Sequence, residues 1–163
     1  MRVLGIDPGT AITGYGLIDH EDGEDLQTAD FGVIRTPAKM ELAERLVLLY
    51  DDLENIILLH KPQSAAVEKL FFSKNVKTAL SVGHARGIVL YLLAKHKIPI
   101  SEYTPNEIKQ AITGYGNADK KQMQTMTQVM LNLDETPQPD DAADALATAI
   151  CHINTSSSWL NQV

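Results

Sequence analysis

Two of the chain's carboxylates end apolar runs. Asp7 follows Val3-Leu4-Gly5-Ile6 and precedes Pro8-Gly9-Thr10, so it sits where a short buried strand stops in a tight turn. Glu68 closes Ser64-Ala65-Ala66-Val67, a nearly continuous small apolar run of the kind buried on both faces of a sheet. Two further acids, Asp141 and Asp144, are spaced i, i+3, which puts both on one face near the start of a helix. The alanines around them (142, 143, 145 and 147) let that helix lie close to whatever it packs on. A carboxylate beside a core is costly without a partner. Taken singly, Asp7 fits an Asx turn, and Asp141 and Asp144 fit a cap on the helix dipole. Taken together, if the strands ending in Asp7 and Glu68 are neighbours, four acids converge and repel. Their natural partner is a hard divalent cation bound through oxygen, Mg²⁺ or Mn²⁺. Such a set suits two-metal hydrolysis of a phosphodiester. No Ser-His-Asp arrangement or cysteine nucleophile competes with it.

The elements that must position these acids are legible from periodicity. Strands are expected over Arg2–Ile6, Gly14–Ile18, about Thr28–Arg35, Ser64–Glu68 and Pro99–Tyr103. Short connections make the first three an antiparallel meander. Leu42, Leu46, Leu49, Leu53, Ile56 and Ile57 mark an amphipathic helix over Ala38–His60 that Pro62 closes. A second long helix, Asn75–Lys97, carries small residues, among them Gly83 and Gly87, on a face open to another helix. Thr104, Pro105 and Glu107 form a capping box for a third helix ending near Gly114. Asp119 caps a fourth, running to about Asn132, and the last spans about Asp140–Ile153. The hexapeptide Ala-Ile-Thr-Gly-Tyr-Gly occurs at 11–16 and 111–116, once as strand entry and once as helix exit. The fold class is α/β, a five-stranded mixed sheet flanked by helices in one domain, residues 1–154, with a flexible tail at 155–163.

Composition agrees with a globular domain: 163 residues, 44% hydrophobic and 21% charged. No run is long enough for a membrane span, and a single cysteine suits a reducing cytoplasm. The net charge of −7 is unevenly spread. Residues 69–121 hold nine basic side chains against three acidic ones, a local +6, while the rest carries −13. Such a segment could form a basic face for nucleic acid, or be lysines dispersed on solvated helices.

Four ordered motifs carry a resemblance. Leu4-Gly5-Ile6-Asp7-Pro8-Gly9, Glu68-Lys69-Leu70-Phe71, Gly83-His84-Ala85-Arg86-Gly87 and Asp141-Ala142-Ala143-Asp144-Ala145-Leu146-Ala147 closely resemble the bacterial RuvC crossover junction endodeoxyribonucleases over about residues 1–153. The resemblance implies a ribonuclease H-like fold, a homodimer, and Mg²⁺-dependent resolution of Holliday (four-way) DNA junctions by paired symmetric nicks, with one or two ions per subunit. It implies a branch-migration complex, RuvA-RuvB, as partner. Carried over position by position, it makes Asp7, Glu68, Asp141 and Asp144 the metal-binding, catalytic acids and Phe71 an aromatic that stacks on bases. Lys109 and Lys120 match lysines implicated in DNA binding and catalysis. Lys121 would meet phosphates beside them, Lys69, Lys74 and Lys77 flank the aromatics, and Arg86 and Phe72 complete the expected DNA-binding set. Phosphate contacts make affinity salt-dependent, while aromatic stacking is tolerant of sequence. A related ribonuclease H-like nuclease acting on other nucleic acids is the alternative. Gly5-Ile6-Asp7-Pro8-Gly9-Thr10 also resembles the phosphate loop of actin-like kinases, whose two domains exceed what 163 residues supply.

Overall fold

The computed structural model describes residues 1–21, 23–69 and 76–160; of residues 76–78 and 157–160 it describes the backbone alone. Phe71, Phe72 and Lys74 lie outside the described residues, as does the side chain of Lys77.

Five strands form one sheet: β1 (Arg2–Asp7), β2 (Ile12–Asp19), β3 (Gln27–Arg35), β4 (Ser64–Glu68) and β5 (Ile100–Tyr103), in the order β3-β2-β1-β4-β5. The meander β1-β2-β3 is antiparallel, and β4 and β5 run parallel to β1. Five helices accompany it: α1 (Leu42–His60), α2 (Val76–Lys95), α3 (Pro105–Thr113), α4 (Lys120–Met130) and α5 (Asp140–Leu160).

Strand alternation sorts side chains onto two faces. Leu4, Ile6, Leu17, Ala65 and Val67 join Leu49, Leu53 and Ile57 of α1 and Val89, Leu92 and Leu93 of α2 in one core. Val3 and Ile18 point the other way, into a second core with Ile108, Ile112, Met123, Leu146 and Ile150 from α3, α4 and α5. Asp7 shares the parity of Val3 and so belongs to the second face.

Element ends differ from expectation where local bonding decides them. α1 begins at Leu42, not Ala38, because Pro37 opens a turn that Met40 N–H closes at 3.1 Å. It ends as expected before Pro62, with Lys61 in the left-handed region at φ 51 and its N–H on the Ile57 carbonyl. Both capping boxes are present: Thr104 with Glu107, and Asp119 with Gln122. The last helix, expected to end near Ile153, is longer than that. α5 continues to Leu160, and Thr155 and Ser156 turn their hydroxyls back onto the Cys151 and His152 carbonyls at 2.7 and 2.9 Å. Those bonds satisfy within the helix the side chains read as loop-forming.

Candidate active site

Asp7 is the last residue of β1 and Glu68 the last of β4. The two strands are parallel neighbours paired Val3 with Ser64 through Ile6 with Val67, so the next step sets Asp7 beside Glu68. The turn after Asp7 is closed by the buried Thr13, whose hydroxyl donates to the Gly9 carbonyl at 2.7 Å. Gly9 is required there, since an added Cβ would stand 2.1 Å from the Ile12 carbonyl oxygen.

The other two acids arrive on α5, and glycines decide how near they come. Gly5 of β1 pairs with Gly16 of β2, and Gly14 pairs with Asp7. A Cβ on Gly14 would stand 1.9 Å from the Asp141 carbonyl oxygen, and one on Gly5 would stand 2.0 Å from that of Ala145. One on Gly16 would meet Leu146 at 2.7 Å. Helix backbone therefore rests directly on strand backbone, which is possible only where side chains are missing. The small residues on α5 were expected to permit this approach. The matching glycines on the sheet were missed, although Gly14-Tyr15-Gly16 is a visible signal: alternate glycines bare one face of a strand.

The carboxylates act on one another. Asp7 is pushed up from the ordinary aspartate range to about 8, by burial first and then by Glu68, Asp144 and Asp141. Glu68 is also raised, chiefly by burial, against the lowering influence of its hydrogen bond with Asp7 and of Lys109. Burial raises Asp144 too, opposed by Lys120. Protonation is thus favoured at both Asp7 and Glu68, most at Asp7. Among the described residues, no three His, Cys, Asp or Glu side chains already form a ready metal-ligand set. What fits a cation is the donor chemistry: hard-oxygen groups whose protonation is favoured by burial first and by the crowding of their charges second.

Beside them opens a cleft of about 220 Å³ lined by Glu68, Asp144, Lys109 and Lys120, with Pro105, Ile108, Met123 and Ala147 as its apolar wall. Lys109 comes from α3 and Lys120 from the first turn of α4, so the two capped helices deliver one lysine each. The other expected basic residues whose side chains are described lie elsewhere. Lys121 lines a separate depression of about 380 Å³ with Thr113, Tyr115 and Met126. Lys69 is exposed just past β4, its N–H on the Tyr103 carbonyl at 2.8 Å. Arg86 is ion-paired with Glu102 of β5, and Lys95 with Glu54 of α1 at 2.7 Å. The +6 segment is therefore partly neutralised within the fold, and among the described residues its contribution to the cleft is Lys109 and Lys120.

Comparison with known proteins gives a consistent result. The family model described as crossover junction endodeoxyribonuclease RuvC matches residues 3–152. A relative of that name from Caldicellulosiruptor saccharolyticus is 51% identical over 162 residues, 99% of this chain and 98% of its own. One from Chloroflexus aggregans is 55% identical over 156 residues, covering 96% and 94%. Among solved structures, that of T. thermophilus RuvC in complex with Holliday junction substrate superposes with a TM-score of 0.92 at 31% identity, covering 98% of this chain and 96% of that one.

Proposed function

The chain belongs to the RuvC family of crossover junction endodeoxyribonucleases, and on that premise we propose that it resolves four-way DNA junctions by metal-dependent hydrolysis of one phosphodiester per subunit. The observation that carries this is the seating of α5: bare glycines bring Asp141 and Asp144 over the paired strand ends that hold Asp7 and Glu68. Those four acids are the ligand set. When bound there, one or two Mg²⁺ ions, or Mn²⁺ in their place, would supply an activated water and stabilise the leaving 3′ oxygen. The products are 5′-phosphate and 3′-hydroxyl ends.

The protein's own groups do the rest. Asp7 and Glu68, side by side at the strand ends, would hold the cation as carboxylates. Lys109 and Lys120 flank the cleft and neutralise the phosphate as it enters, which gives affinity a steep salt dependence. The apolar wall of Ile108, Met123 and Ala147 limits water on one side of the site. Phe71 or Phe72, carried on the stretch after Glu68, would stack on bases opened at the junction centre, with Lys69, Lys74 and Lys77 on the flanking phosphates.

Paired nicks require two subunits. The outward face of α2 supports a homodimer: Leu80 is 65% exposed and Tyr91 59%, and an added Cβ at Gly83 or Gly87 would meet nothing. The setting is the cytoplasm, and RuvA-RuvB is the partner expected there. No described helix is long and apolar enough to cross a membrane.

The test is nicking of a synthetic four-way junction with Mg²⁺, beside an RNA/DNA hybrid duplex of the same sequence. Wild type should cut the junction symmetrically and leave the hybrid, Asp7→Asn should cut neither, and Phe71→Ala should bind but cut slowly. Faster cleavage of the hybrid would assign the site to a different nucleic acid.

A further inference from the structure

A fifth acid stands at the site and behaves unlike the other four. Asp140 is the first residue of α5 and precedes Asp141. Its Oδ2 receives the Lys120 ammonium at 2.7 Å, and its Oδ1 receives the Gln124 side-chain amide at 2.7 Å. Lys120 and Gln124 are one turn apart on α4 and face the same way. Both oxygens of Asp140 are thus engaged by one face of α4.

The pair is too open to explain itself by stability. Lys120 and Asp140 are 57% and 47% exposed, and ion pairs of that kind contribute little to folding. Its consequence is where the lysine is left. Lys120 shares the cleft with Glu68 and Asp144 and feels Asp144 and Asp141 as well as Asp140. A lysine on a flexible four-carbon stem has two other ways to settle. It could swing into solvent, or collapse between Asp141 and Asp144.

We propose that Asp140 is a positioning residue that holds the Lys120 ammonium at the edge of the cleft, where it meets a phosphate oxygen of the substrate without occupying the ground between Asp141 and Asp144. This rests on the cleft being where the phosphodiester is cut. Lys120 is the group that touches substrate, and Asp140 acts through it.

Asparagine at 140 keeps an oxygen for Gln124, and so the tether between α4 and α5, but loses the ion pair. Single-turnover nicking and metal-free junction affinity would be measured for wild type, Asp140→Asn, Asp140→Glu, Gln124→Ala, Lys120→Ala and the Lys120→Ala/Asp140→Asn double variant. Asp140→Asn should slow nicking by about tenfold, the scale of a misplaced reacting partner, while metal-free affinity stays level or tightens. Asp140→Glu should restore most of the rate, and Gln124→Ala should cost less than Asp140→Asn. In the Lys120→Ala background, Asp140→Asn should add nothing. Full additivity in the double variant would overturn the proposal, as would a rate loss matched by an equal loss of affinity. If Lys120→Ala nicked at the wild-type rate, the reading of the cleft itself would fail instead.

Discussion

The two faces of the sheet are built by opposite rules. On one, Leu4, Ile6, Leu17 and Val67 meet Leu49, Leu53 and Leu92 of α1 and α2, side chain on side chain. On the other, Gly5, Gly14 and Gly16 offer no side chain, and α5 comes down onto backbone. Aspartate and glutamate are short, so acids on a helix and acids on strand ends can share a cation only if helix and sheet nearly touch. The first face gains from bulk, because apolar area removed from water stabilises by roughly 25 cal/mol per Å². The second gives up that burial for distance. The chemistry is thus confined to the second face, where Val3, Ile18, Leu146 and Ile150 still pack a core of their own beside the bare glycines.

The largest effect should come from removing the charge at the centre of the second face. Asp7→Asn should lower nicking by about 10³-fold or more, equivalent to ~4 kcal/mol of transition-state stabilisation. Its effect on folding should run the other way. The folded carboxyl is held up at about 8, whereas an unfolded aspartate titrates near ~3.9. The folded state therefore binds the proton more tightly. Its stabilising contribution is complete below the unfolded value and is lost as pH rises through about 8. Without metal, wild type should lose melting temperature relative to Asp7→Asn between acid and pH 8, and Mg²⁺ should return it at high pH. Thermal scans of both proteins across that range, with and without Mg²⁺, measure the difference. A variant less stable than wild type at every pH would make Asp7 a turn residue first and a ligand second.

One substitution on each face tests the division itself. Gly14→Ala places a methyl group against the Asp141 carbonyl and so lifts the start of α5. A displacement of ~1 Å at a reacting centre costs about 100-fold in rate, and overpacking a further ~1–3 kcal/mol of stability. Leu53→Ala empties a fully buried position on the α1 side and should cost ~2–5 kcal/mol. Assayed below its melting temperature, however, it should nick at close to the wild-type rate. The pair is read by comparing rate with melting temperature in each. Gly14→Ala that is destabilised but fully active, or Leu53→Ala that is folded but inactive, would erase the distinction.

Much of the first face was legible from sequence and less of the second, for a physical reason. Apolar periodicity reports side chains that pack, so Leu49, Leu53 and Ile57 announced α1 directly. A close backbone approach is reported by side chains that are missing, and glycine has several uses. The repeated hexapeptide shows this. At 11–16 its glycines bare a strand for α5, whereas at 111–116 Gly114 adopts φ 81 to cap α3. Six identical residues do different work because their neighbours differ. Asp7 and Glu68 stood out because each ends an apolar strand, and Asp141 and Asp144 because their i, i+3 spacing puts both on one helical face. Asp140 did not, since its partners Lys120 and Gln124 lie on another helix, and only the packing of α4 on α5 brings the three together. Thr155 and Ser156 misled because their preference for turns is local, and α5 overrides it by taking both hydroxyls onto its own carbonyls.

The smallest expected effect belongs to glycines of a third kind. Gly87 lies in the middle of α2, where no packing within the described chain excludes a methyl group. In an isolated subunit, Gly87→Ala should stabilise the helix by ~1 kcal/mol, because alanine loses less backbone freedom than glycine. If two copies meet through this face, the same methyl group enters the interface, where the absence of a side chain lets helices approach. The two contributions have opposite signs and separate by concentration. Melting temperature should rise in dilute solution, where subunits dominate, and fall below wild type at high concentration. Sedimentation equilibrium should show the weakened dimer directly. A rise at every concentration with an unchanged dimer would remove α2 from the interface. It would also make Gly87 unlike Gly14, a glycine that no contact requires.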